Sequence, residues 1–274
     1  RHLKPALYVF ALNVIISIYL QLNNVLLGFM KDTEAVGYFT AATKIMVITM
    51  SISSALGAVI MPRTSNLIAE ERMDEFKALV QKSYDFIFAL AMPLMVGLIF
   101  TSPSAVLLLS GEGFVPAILT SQIVAFNILT VGLSGVMGIQ VLYPFGKINI
   151  VILCTSIGAI INVFLNVLLI PRYGHNGTAV AYMLAEMTVT VSMFFIGKRY
   201  IPIRFLKRQH LNYVLGSVVM GVCLYFISWL GLGNTATLVM MISMGGIVYV
   251  VILLFLRDSI GMIPWKILRE KFGK

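Results

Sequence analysis

Eight stretches of the chain are each long and apolar enough to cross a bilayer as a helix: residues 6–29, 38–61, 85–109, 118–142, 149–170, 177–197, 211–231 and 237–256. Crossing the hydrocarbon takes about 20 mainly apolar residues. Inside it, every backbone N–H and C=O must be satisfied without water, which favours helices over open strands. The fold class is therefore all-α integral membrane. Composition agrees, with 59% of the 274 residues hydrophobic and 11% charged, where soluble domains carry about 25% charged residues. A cytosolic enzyme, a disulfide-stapled secreted domain and a disordered tail are excluded.

Orientation follows from the loops. Of 20 Lys and Arg, all but three fall on one side, in the stretches 1–4, 63–82, 147, 198–208 and 257–274; the other side holds Lys31 and Arg172, and Lys44 lies within a span. The positive-inside rule makes the basic side cytoplasmic and places both ends of this chain there, in a multi-pass cell-membrane protein. Basic loops thus account for the net charge of +9, and no nucleic-acid partner is expected. The first apolar run is too long for a signal peptide and the chain opens on Arg1, so the sequence reads as part of a longer protein.

Two basic-side elements read as amphipathic helices lying on the inner leaflet. One covers 64–82, with Ala69, Met73, Phe76 and Val80 on its apolar face; the other is the tail, with Trp265, Leu268 and Phe272. Most prolines sit at segment ends, but Pro93 and Pro103, with Gly97, predict a kinked or broken third segment.

The chemistry lies in the polar residues of the spans, which hydrocarbon drives toward a bundle interior or a watery cavity. Asn13, Ser17, Gln21 and Asn24 form one stripe about 80° wide at helical spacing. Further stripes are Thr40, Lys44 and Ser51; Asn127, Thr130 and Ser134; Thr155, Asn162 and Asn166; and Thr178, Tyr182, Glu186 and Thr190. Amides also glue membrane helices together, yet so many striped spans favour a shared cavity. Lys44 and Glu186 each cost about 2.5–3.5 kcal/mol at mid-helix and so need water, a partner or a substrate. Two readings stand: a static ion pair, or an anion site at Lys44 tuned by Glu186. The spans 211–231 and 237–256 carry no charge and look lipid-facing.

Cys154 and Cys223 sit in apolar runs as packing residues, and His2, His175 and His210 fall in loops, with His175 read as a turn residue. Asn176-Gly177-Thr178 matches a glycosylation sequon but abuts a span. The sequence has no phosphate-binding Gly-Lys-Ser loop, no His-Glu-x-x-His and no Gly-x-Ser-x-Gly. No cofactor, metal or enzymatic activity is expected.

Four stretches, in order, resemble the polysaccharide flippases of the Wzx type. Val36-Gly37-Tyr38-Phe39-Thr40-Ala41-Ala42-Thr43-Lys44-Ile45 resembles the start of one of their spans, and Met61-Pro62-Arg63-Thr64-Ser65 its end. Ile170-Pro171-Arg172-Tyr173-Gly174-His175-Asn176-Gly177-Thr178-Ala179 resembles a third stretch, with Asn162 and Asn166 upstream and Glu186 downstream; Leu142-Tyr143-Pro144-Phe145-Gly146-Lys147 fits more loosely. His175 and Thr178 replace the commoner Ile and Ala of that family. That family, part of the multidrug/oligosaccharidyl-lipid/polysaccharide exporter superfamily, has fourteen spans.

The resemblance implies that these eight spans are numbers seven to fourteen. Residues 1–205 would be the C-terminal six-helix lobe, and 206–274 the two additional helices with a basic cytoplasmic tail. The N-terminal lobe would be the missing partner. The implied function is flipping of undecaprenyl-pyrophosphate-linked oligosaccharide across the cytoplasmic membrane for surface polysaccharide, by alternating access, with H+ or Na+ as possible coupling ions. Lys44 becomes a cavity cation, Glu186 a cavity carboxylate, and Arg172 a residue of the outer mouth. Asn13, Gln21, Asn24, Ser51, Asn162, Asn166 and Tyr182 complete the candidate cavity. Rival readings are a cation-coupled multidrug exporter, which would favour more carboxylates than Glu186 and, at a cytoplasmic edge, Asp85; a lipid II flippase; and, from another class, a membrane glycosyl- or acyltransferase.

Overall fold

The computed structural model describes residues 10, 21–201, 204 and 207–256, without the side chains of 52–59. Among them there is no strand. Residues 21–30 are the described end of α1. Next come α2 (Thr33–Ala69), α3 (Met73–Ser110) and a 3₁₀ turn (Glu112–Phe114). They are followed by α4 (Ala117–Leu142), α5 (Ile148–Gly197), α6 (Arg208–Ser228) and α7 (Asn234–Phe255). The helices α3 to α7 are each long and apolar enough to cross a membrane. Most of the span 6–29, including Asn13, and the tail lie outside the described residues.

Helix α2 starts where Asp32 accepts the Ala35 amide at 2.7 Å, an N-cap that satisfies one orphan donor. With 37 and 38 residues, α2 and α3 run about 55 Å each at 1.5 Å per residue, well beyond the ~30 Å hydrocarbon core. Their connection at Glu70–Arg72 is closed by Arg72 bonding Glu70 and Glu75, each at 2.8 Å. The expected surface helix at 64–82 is thus corrected: that stretch is the hairpin end of two long helices. Its apolar stripe is real, but Phe76 and Val80 are fully buried, Phe76 with its ring edge-on to Phe145 at 5.5 Å. Amphipathicity marks an apolar partner without saying whether that partner is lipid or protein.

Of the expected kink or break in the third segment, the break does not occur: α3 runs on through Pro93 and Pro103. Each proline deletes the amide that would serve the carbonyl four residues back, and a neighbouring helix supplies the missing donor. The Ala89 carbonyl, orphaned by Pro93, takes the Tyr249 hydroxyl of α7 at 2.5 Å. The Ile99 carbonyl, orphaned by Pro103, takes the Gln122 amide of α4 at 3.2 Å.

The predicted spans 149–170 and 177–197 are the two helical limbs of α5, parted at Gly174 with φ 54 and ψ −132. That left-handed backbone suits glycine. The two limbs fold back on each other, since a Cβ on Gly158 would lie 2.2 Å from Val189 Cγ2. These residues would be more than 40 Å apart in one straight helix. The last two helices are less peripheral than their lack of charge suggests. His210, Tyr213, Ser217, Met220, Leu224 and Ile227 form a buried stripe on α6, packed with Ala89 of α3 and Met241, Tyr249 and Leu253 of α7. The outer faces, with Leu215, Val222 and Phe226, stay exposed.

Candidate functional site

Two clefts meet along α2. The first, about 370 Å³, is lined by Gln21, Asn23 and Asn24 of α1, Thr43 and Lys44 of α2, and Tyr182 of α5, with Phe39, Met46, Val47 and Ile48 as apolar walls. The second, about 560 Å³, shares Met46, Val47 and Tyr182, and adds Glu186, Thr155, Ser134, Tyr143 and the methionines Met50, Met61 and Met193. Lys44 and Glu186 therefore line adjoining clefts separated by Tyr182. Among the described residues no ion pair joins them.

Behind the first cleft sits a buried amide cluster. Asn166 Nδ2 donates to Asn23 Oδ1 at 2.9 Å, to the Asn162 carbonyl at 2.9 Å and to Asn162 Oδ1 at 3.1 Å. Among the described residues, Asn166 Oδ1, Asn162 Nδ2 and Thr178 Oγ1 are buried and have no hydrogen-bond partner. Buried polar atoms usually find one, and amide and hydroxyl oxygens are donors that hard cations and water take. Asn162 and Asn166 belong to one sequence stripe. Asn23 was missed, because it lies off the face of Gln21 and Asn24; the Asn23-Asn24 pair was its only signal.

Of the other candidates, Asn24 accepts from Thr40 at 3.4 Å, while Ser51 bonds the Ile48 carbonyl at 2.7 Å and lines neither cleft. Arg172 is exposed, its guanidinium 5.6 Å from the Tyr173 ring.

At the Lys/Arg-poor end, His175 is a linker rather than a plain turn residue. Thr120 gives its one hydroxyl proton to Asn176 Oδ1 at 2.8 Å, so at 2.7 Å from His175 Nδ1 it accepts the ring's N–H. The Tyr38 ring lies edge-on to the imidazole at 5.1 Å. Three helices are thereby joined, and burial pushes the His175 pKa down against the opposing pull of Asp32. The sequon is closed: Asn176 is engaged and Thr178 is fully buried.

Long helices around a cation- and amide-lined cleft, with two more docked behind, give an all-α membrane fold. Comparison with known proteins sharpens this. Residues 2–119 match the family model described as "Polysaccharide biosynthesis protein". The probable low-salt glycan biosynthesis flippase Agl15 of Haloferax volcanii is 24% identical over 237 residues, 86% of this chain and 50% of that protein. The lipid II flippase MurJ in its inward closed conformation superposes with a TM-score of 0.78 at 17% identity, covering 92% of this chain and 53% of MurJ. A superfamily transporter from Pyrococcus furiosus gives a TM-score of 0.63 at 16% identity, over 90% of this chain and 60% of its own. The chain thus spans about half the length of the curated relative it matches. The resemblance to Wzx-type flippases read from the sequence is borne out.

Proposed function

We propose that this chain is the C-terminal part of a flippase that moves polyprenyl-pyrophosphate-linked oligosaccharide across the cell membrane for surface glycan assembly. Residues 1–205 serve as the second lobe and the last two helices as its addition. The supporting observation is Lys44, an ammonium group in a cleft whose other polar lining is the amides Gln21, Asn23 and Asn24 with Thr43 and Tyr182. An ammonium 4 Å from one phosphate charge gains about 4 kcal/mol at an effective dielectric of 20. Neutral amides beside it add hydrogen bonds to sugar hydroxyls without a competing carboxylate. A missing N-terminal lobe would close the opposite wall, and rocking of the lobes would expose Lys44 to each face in turn. In this reading the basic loops and both chain ends face the cytoplasm. Asn166 Oδ1, unpartnered among the described residues on a side chain bonded to Asn23 of the cleft, favours cation coupling behind it.

The test is complementation of a flippase-deficient strain by the complete transporter. Lys44→Ala at normal membrane abundance is expected to abolish surface glycan, with partial rescue by Lys44→Arg. Full activity of Lys44→Ala would refute the anion site.

A further inference from the structure

The second cleft differs in kind from the first. Its walls are chiefly carbon and sulfur, from Met50 and Met61 of α2, Ile139 of α4, and Val189 and Met193 of α5. Among the described residues of its lining Glu186 alone carries a charge, and Lys44 lines only the first cleft. At about 560 Å³ the space falls within the ~300–1,000 Å³ of ordinary small-molecule sites, which are likewise mostly apolar with a few placed polar groups.

The end of α4 is wound so as to complete this lining. Residues Val136–Leu142 are π-helical, and the Tyr143 N–H reaches back five residues to the Gly138 carbonyl at 2.9 Å. In an α-helix five residues turn about 500°, which would put Tyr143 about 140° round from Gly138. The wider π turn brings both to the cleft. Such turns are rare, and where they occur they often mark functional sites; this one delivers a second tyrosine ring beside that of Tyr182. Gly135, on the same wall, leaves room, since a Cβ added there would meet no described atom within 4 Å.

Charge and wall chemistry select the occupant. A phosphate or carboxylate would be repelled by Glu186. A hard metal ion draws about six to eight oxygen ligands around itself, where these walls offer mainly thioether and alkyl groups. A hydrocarbon chain would leave the Glu186 carboxylate desolvated without recompense. A bulky organic cation meets every feature. Its charge is spread or shielded by carbon, so it loses little hydration on entry. The carboxylate supplies a counter-charge, the tyrosine rings a cation–π face, and the methionines a polarizable wall that adapts to its shape.

We propose that this cleft binds lipophilic organic cations, the alkyl- or aryl-substituted ammonium and phosphonium ions, with Glu186 as counter-charge and Tyr143, Tyr182 and the methionines as the cage. The site is separate from the anion site proposed at Lys44, although the two clefts share Met46, Val47 and Tyr182 as a common wall.

The test measures binding of radiolabelled tetraphenylphosphonium to the complete transporter in lipid nanodiscs, with empty nanodiscs subtracted for partition into lipid. Saturable binding is expected, weakened at least about tenfold in Glu186→Gln by loss of a counter-charge at contact distance. Gly135→Leu, which fills the cleft and leaves every charge in place, should weaken it comparably. Lys44→Ala should leave it undiminished whatever that variant does to glycan export, so the two sites stand or fall separately. An aryl-azide derivative of the same ion locates the site whatever else in the transporter binds it. Its photoadducts, mapped by mass spectrometry, should fall on cleft residues of α2, α4 or α5 and be lost in Gly135→Leu. Should Glu186→Gln fail to fold, Gly135→Leu and the adduct map decide. No saturable binding, adducts confined to other parts of the transporter, or parental affinity in either folded cleft variant would overturn the proposal.

Discussion

Replacing Tyr249 with Phe removes one oxygen atom, and the structure says what that atom does. Its hydroxyl bonds the Ala89 carbonyl at 2.5 Å, which Pro93 leaves without the usual amide donor. In the parent, Tyr249→Phe strands a buried carbonyl, a loss of about 1–3 kcal/mol by analogy with buried groups in soluble proteins. Interhelical bonds measured in membranes average about 0.6 and reach about 1.7 kcal/mol. The expected loss is therefore about 1 kcal/mol. In a Pro93→Ala background the new residue-93 amide serves Ala89, and the same substitution should cost only a few tenths. The two changes should thus couple by about 1 kcal/mol in a double-mutant cycle, read from SDS-driven unfolding in mixed micelles. Additive effects, within the ~0.3 kcal/mol expected of independent sites, would refute the reasoning that α7 repairs the proline in α3.

The same logic at Pro103 predicts that Gln122→Ala destabilises by about 0.6–1.7 kcal/mol, since it strips the Ile99 carbonyl of its donor; the same unfolding assay measures it. Gly158→Leu should separate the limbs of α5 and abolish folded, monodisperse protein on size exclusion, because even a Cβ there lies 2.2 Å from Val189 Cγ2. His175 binds protons less readily folded than unfolded. Its contribution is therefore whole above the ordinary imidazole value near 6.5 and is lost as pH falls through the depressed folded value. Thermal stability should drop over that window in the parent, and by less in His175→Asn.

The apolar spans of α3 to α7 were legible because membrane insertion acts on single segments: twenty apolar residues are apolar whatever they later touch. Asn162 and Asn166 could be paired from spacing alone, since i and i+4 share a face before any tertiary contact exists. Partners drawn from different helices could not be read this way. Asn23 lies off the face of Gln21 and Asn24, and only the position of α5 shows that its carbonyl oxygen meets Asn166. The surface helix expected at 64–82 failed for the same reason, because hydrophobic spacing is indifferent to whether lipid or Phe145 covers Phe76.

The placement of polar bonds divides the lobe into a fixed back and an adaptable front. Behind, α3, α6 and α7 are tied by Tyr249 to Ala89 and by Asp85 to Lys207 and to His210, which lies in the first turn of α6 and not in a loop. These bonds saturate carbonyls and charges. In front, the cleft walls are flexible side chains, with Lys44 exposed and Met46, Met50, Met61 and Met193 around the adjoining space. Methionine repacks at small cost, and an ammonium on a four-carbon stem can follow a moving anion. The function proposed above would use this division: a rigid body to carry a rocking motion, and a lining that keeps contact with cargo while the geometry changes.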